Sequence, residues 1–149
     1  MSLAELLKQE HVLLGLPSET KEDTINKMVE KMQETGVVTE PETFKEAVNA
    51  REVEGSTGIG YAVAIPHGKS TGVAEASLAF ARLANEVDWQ SLDGNPVSYV
   101  FLIAIPEEQA GKEHLQILSQ LSRKLMHEEF RAKLAEAEDS KELIAALEE

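Results

Sequence analysis

The 149-residue chain has no cysteine, a single tryptophan, and only 5% aromatic side chains. Without thiols, disulfides, cysteine-ligated zinc and a cysteine nucleophile are excluded, and the absence fits a reducing, cytoplasmic setting. Basic side chains are also scarce: 14 Lys and Arg stand against 27 Asp and Glu, a formal charge of −13. Such a chain lacks the basic face that nucleic-acid phosphates require, and it disfavours an anionic membrane surface. No apolar run approaches the length of a membrane span. The start MSLAELLKQE has neither the basic residues nor the apolar stretch of a signal peptide, so no direct membrane insertion is expected. What is present, 42% hydrophobic and 28% charged residues, suits a globular fold with one core, and one domain over 1–149 is expected.

The order of elements follows from periodicity and punctuation. Leu3, Leu6 and Leu7 suggest a short opening helix, and HVLLGLP reads as a strand closed by Pro17. Thr20, with Asp23 three residues on, caps a helix whose stripe is Ile25, Met28, Val29 and Met32, with Gly36 at its end. Pro41 is placed to open a second helix through Phe44, Ala47 and Val48 to about Arg51. ASLAFARLA and VSYVFLIAI read as strands, the second so continuously apolar that it should be covered on both faces. Helices are expected over roughly 112–127, 127–137 and 140–148, the last capped by Ser140 or Asp139. Helices, then strands, then helices predict an α/β, three-layer sandwich with a mixed central sheet flanked by helices.

The stretch STGIGYAVAIPHGKS, residues 56–70, carries the chemistry. It predicts His67 in a loop just beyond an apolar strand that Pro66 ends, because proline has no N–H for the ladder. Gly68 would then permit a sharp turn and the approach of an incoming group without a Cβ in the way. The alternative is a polar turn histidine without a task. Upstream, EGSTGIG alternates glycines with Ser56 and Thr57, a pattern able to present N–H groups and hydroxyls to an anion. GKS at 68–70 lacks the preceding glycine of a P-loop, so nucleotide binding of that kind is rejected.

His114 shares a stripe with Leu118, Leu121 and Leu125 and lies in the first turn of its helix, where free N–H groups favour an anion. The plainer reading is a residue packed against a neighbour. Neither histidine has a second ligand at metal spacing, and His11 and His127 lie on other elements, so no metal is expected. A nucleophilic histidine is the better chemistry: neutral imidazole can take a phosphoryl group on one nitrogen while an acceptor holds the other. Positioning and charge stabilisation from hydroxyls, glycine N–H groups, a second histidine and an arginine would then suffice, with no cofactor.

REVEGSTGIGYAVAIPHGKS, then VDWQSLDGNPVSYVFLIAIPE and HLQILSQLSRKLM, resemble the fructose/mannitol-type enzyme IIA domain of the bacterial sugar phosphotransferase system across essentially the whole chain. PHGKS with VDWQSLDG is closer to the fructose-type branch. The resemblance implies that His67 is the phosphorylated histidine, accepting phosphoryl from the carrier HPr and passing it to a IIB component linked to a membrane IIC permease. It implies that His114 is the second active-site histidine and that Arg51 is the arginine preceding the glycine-rich stretch. Ser56, Thr57, Gly58 and Gly68 are the expected phosphoryl-binding positions. The alternative is a regulatory, nitrogen-type IIA module whose phosphorylation state controls partner binding. Tyr61 stands where a small or acidic residue is common, either near the site or simply on a surface loop. Trp89 and Phe101 are assigned to packing.

Overall fold

The computed structural model describes residues 2–109 and 112–148, without the side chains of 109 and 112–114. In chain order the elements are α1 (Leu3–Leu6), β1 (Leu7–Leu16), α2 (Lys21–Glu34), α3 (Pro41–Glu54), β2 (Gly58–Gly60), β3 (Val63–Ala64), β4 (His67–Ser70), β5 (Ser77–Val87), β6 (Val97–Pro106), α4 (Lys112–Leu125), α5 (Glu128–Glu136) and α6 (Ser140–Glu148). The sheet has six strands in the order β1-β5-β6-β3-β2, with β4 also pairing β6. It is mixed: β5 runs antiparallel to β6, while β1 is parallel to β5, and β3 and β4 are parallel to β6.

Strand alternation divides the core into two halves, as a period of two requires. Phe101, Ile103 and Ile105 of β6, with Leu78 and Phe80 of β5, pack on α1, α4, α5 and α6 through residues such as Leu3, Leu121, Phe130 and Leu143. Val100, Leu102 and Ala104, with Ala79 and Ala81, pack on α2 and α3 through Met28, Met32, Phe44 and Val48. The result is the three-layer α/β sandwich expected from the sequence, with Phe101 and Trp89 both fully buried. Local signals act where they stand: the Thr20 hydroxyl accepts from the Asp23 N–H at 3.0 Å, and Pro41 opens α3. Asp139 caps α6, accepting from the Glu142 N–H at 2.9 Å.

Three boundaries differ from the periodic reading. Leu7 begins β1 instead of ending the helix, so β1 starts four residues before His11. The helix expected to stop near Arg51 continues to Glu54. The third difference concerns the histidine itself: His67 opens strand β4 and is only 7% exposed, where a loop position was expected. The physical reason lies in the register. Val63 and Ala64 pair with Tyr99 and Val100, and His67 to Ser70 resume at Ile103 to Pro106 in the same register. Strands β3 and β4 are thus one line along β6, interrupted only at Ile65-Pro66, and Ile103 N–H still reaches the Pro66 carbonyl at 3.0 Å.

Candidate functional site

At the interruption, the main chain of Ile65 faces away from β6. Its N–H donates to the Thr57 carbonyl at 3.0 Å, and its carbonyl accepts from His67 Nδ1 at 2.9 Å. A carbonyl can only accept, so the neutral ring carries its hydrogen on Nδ1 and its lone pair on Nε2. Burial pushes the His67 pKa below the ordinary histidine value of 6.5. The Ile65 carbonyl opposes this, Arg51 lowers the pKa further, and Glu52 and Glu54 raise it. The net effect is a ring that stays neutral, and therefore nucleophilic, at neutral pH.

Arg51 lies in the last turn of α3, where its Nη1 donates to the Gly55 carbonyl at 2.7 Å. A cation suits a helix C-terminus, and its influence on the His67 ring places it within electrostatic reach. The structure thus brings together Arg51, His67 and the glycine-rich stretch. The side chain of His114 lies outside the described residues.

Ser56 and Thr57 use their hydroxyls inward. Ser56 Oγ donates to the Trp89 carbonyl at 2.5 Å and accepts from the Gly58 N–H at 3.0 Å. Thr57, almost fully buried, donates its hydroxyl to Glu52, accepts from the Trp89 indole N–H at 3.1 Å, and donates its own N–H to Glu52 Oε1 at 3.3 Å. Trp89 therefore packs and also donates. Gly58 is required by the 88–96 loop: a Cβ there would stand 2.2 Å from Ser91 Oγ and 2.9 Å from Ser91 Cβ. Gly68 departs from expectation. It is a buried strand residue, and a Cβ would meet Val48 Cγ2 and Val48 N at 3.1 Å. Its smallness lets α3 seat on β4, in place of the expected sharp turn.

Sequence reasoning missed Glu52 and Lys21, which form a largely buried ion pair, Nζ to Oε1, at 3.3 Å. A signal was available, since Glu52 continues the four-residue spacing of Phe44 and Val48 and so puts an acid on the inward stripe of α3. Tyr61 occupies, with Ala62, the two-residue turn between β2 and β3, exposed and with the Arg131 guanidinium 3.9 Å above its ring. His11 is buried between Leu78 and Thr35, and His127 precedes α5 and lines a cavity of about 510 Å³ that, among the described residues, contains none of the expected site residues. Among the described residues no group of three or more His, Asp or Glu side chains is placed to hold a metal ion.

A sequence profile for the "Phosphoenolpyruvate-dependent sugar phosphotransferase system, EIIA 2" family matches residues 5–149. The chain belongs to this family. It is 42% identical over 144 residues, 97% of its length, to the PTS system fructose-specific EIIABC component of Bacillus subtilis, but spans only 22% of that protein. The crystal structure of nitrogen regulatory protein IIA-Ntr from Neisseria meningitidis superposes with a TM-score of 0.84 at 33% identity, covering 97% of each chain. The Escherichia coli complex of mannitol enzyme IIA with phosphorylated enzyme IIB aligns with a TM-score of 0.79 at 26% identity, covering 96% of this chain and 99% of that one. Enzyme IIA proteins of this family take part in phosphotransfer, and that complex shows one of them paired with its IIB component. Among the described residues, no helix of this IIA chain is long and apolar enough to cross a membrane.

Proposed function

We propose that residues 1–149 form one cytoplasmic IIA domain of the fructose-type branch, a histidine phosphocarrier that accepts phosphoryl from phospho-HPr and passes it to a IIB component. The observation that carries this reading is His67 itself: a buried, neutral imidazole whose Nδ1–H is held by the Ile65 carbonyl. In the proposed step, the Nε2 lone pair attacks phosphorus, the N–P bond of the donor phosphohistidine breaks, and the donor ring recovers the electron pair. Arg51 offsets the charge on the equatorial oxygens, and His114 orients or stabilises the phosphorylated ring. The same step in reverse direction of flow delivers phosphoryl to IIB, which serves the IIC permease. Val53 at the end of α3 and Leu92 beside Gly58 are apolar and more than 80% exposed, which suits a contact face for protein partners around the site.

Labelling with purified HPr, its kinase and phosphoenolpyruvate tests the reading. Wild type should gain an acid-labile, base-stable phosphate on His67, and His67→Ala should gain none while keeping its fold. Labelling of His67→Ala at the wild-type rate would sink the assignment. His114→Ala should still be labelled but should pass phosphoryl on about 10²–10³ more slowly, the usual loss for one positioned stabilising group. The similarity to IIA-Ntr favours a second reading, in which phosphorylation governs partner binding. Transfer from the labelled chain to a fructose-type IIB separates the two.

A further inference from the structure

The segment between α3 and β2 is tied down by a compact charged network. The Glu52 side chain, 7% exposed, accepts on Oε1 from Lys21 Nζ and from the Thr57 N–H, both at 3.3 Å, and on its other oxygen from the Thr57 hydroxyl. The same hydroxyl accepts from the Trp89 indole, and Lys21 Nζ lies 5.9 Å from the centre of the Trp89 ring. From Thr57 the connection continues: its carbonyl holds the Ile65 N–H, and the Ile65 carbonyl holds His67 Nδ1. On the other side, the Glu52 carbonyl accepts from the Gly55 N–H, and the Gly55 carbonyl accepts from Arg51. One carboxylate therefore sits at the junction of the paths to Arg51 and to His67.

We propose that Glu52 is a positioning residue of the phosphoryl-acceptor site, fixing the His67 ring through Thr57 and Ile65 and the Arg51 guanidinium through the last turn of α3. This inference rests on the phosphocarrier reading of His67. Glu52 touches neither reacting atom. Its carboxylate presents two acceptor oxygens to three donors, an arrangement a glutamine cannot reproduce because half of its amide is itself a donor. Its charge also matters locally, since among the described residues Arg51, Glu52 and Glu54, all on α3, are the charged groups that act on His67. Loss of the Glu52 charge leaves Arg51 less opposed, and the ring becomes harder to protonate.

The test uses the full chain as wild type, Glu52→Gln, and the charge-neutral pair Lys21→Met with Glu52→Gln, which removes the unpaired lysine and keeps a folded variant available. Imidazole ¹⁵N spectra, recorded without any phosphoryl donor, report the tautomer and titration of His67. Labelling by phospho-HPr reports the rate. Both variants should show His67 titrating at lower pH and losing its single Nδ1–H form, with labelling slowed by about 10²-fold, the scale of a small misplacement of reacting groups. A folded variant with wild-type tautomer, titration and rate overturns the proposal. A wild type that phospho-HPr does not label overturns the phosphocarrier reading instead, because the donor-free spectra still decide whether Glu52 sets the ring.

Discussion

Replacing Gly68 by alanine adds one methyl group at the tightest contact between the site strand and its covering helix. That Cβ would stand 3.1 Å from both Val48 Cγ2 and Val48 N, and 3.2 Å from Ala47 Cβ. Each gap is several tenths of an ångström below ordinary van der Waals contact, and one of the three atoms is main chain on α3, which cannot rotate away. Overpacking of this kind costs about 1–3 kcal/mol. For a chain of this length, at about 2–4 °C per kcal/mol, the melting temperature should fall by about 2–12 °C. Val48→Ala relieves only the Cγ2 contact, so the double variant should lose less than the sum of the two single losses. Circular dichroism melts of the four proteins measure this coupling. Pushing α3 off β4 also moves Arg51 relative to His67, so phosphoryl acceptance should slow in Gly68→Ala. A Gly68→Ala melt equal to wild type, or strict additivity with Val48→Ala, would refute the reasoning.

Stability should fall on mild acidification. Burial holds both His11 and His67 below the ordinary histidine value of 6.5 in the native state. As pH drops, the unfolded chain takes up protons first. The stability contributed by the two neutral rings is complete above about pH 6.5 and is lost as pH descends through their native values. Urea midpoints from pH 8 to pH 5 check this, and a His11→Gln, His67→Gln protein should show a shallower decline. Trp89→Phe keeps the buried ring but removes the indole donor to Thr57 Oγ1. It should cost about 1 kcal/mol in urea unfolding, and a neutral result would show that Thr57 does not depend on that bond.

Legibility in the sequence followed the strength of the repeating signal. The β6 strand was readable because nine successive apolar or small residues have no polar face to turn outward, and α2 was readable because a cap, a stripe and a terminal glycine agree. Strands β2, β3 and β4 are two to four residues long and set among glycines and a proline. At that length no period exists to detect, and the shared partner of β3 and β4 lies some thirty-six positions away along the chain. The same limit hid the setting of His67. Its residue type and neighbours pointed to the chemistry, but its burial depends on β6 accepting β4 as a continuation of β3. The inward hydroxyls of Ser56 and Thr57 had a similar cause: their partners, Trp89 and Glu52, belong to elements whose approach no local pattern encodes. Glu52 itself could have been found by asking why an acid follows Phe44 and Val48 on one helical face.

The atom that chooses the His67 tautomer is a main-chain oxygen, that of Ile65. No side-chain replacement at position 65 can delete it, so the acceptor itself survives every substitution there, and only its placement, held through Thr57 and Glu52, is open to mutation. Exposed residues around the ring, outside the Thr57–Glu52 support, are then free to diverge toward different donors and acceptors without resetting which nitrogen attacks. An engineer redirecting the domain to a new partner could redraw the exposed positions near Val53 and Leu92 while leaving the acceptor's protonation untouched. Changing which nitrogen holds the proton would instead require disturbing the strand break at Ile65-Pro66 or the Thr57–Glu52 support behind it.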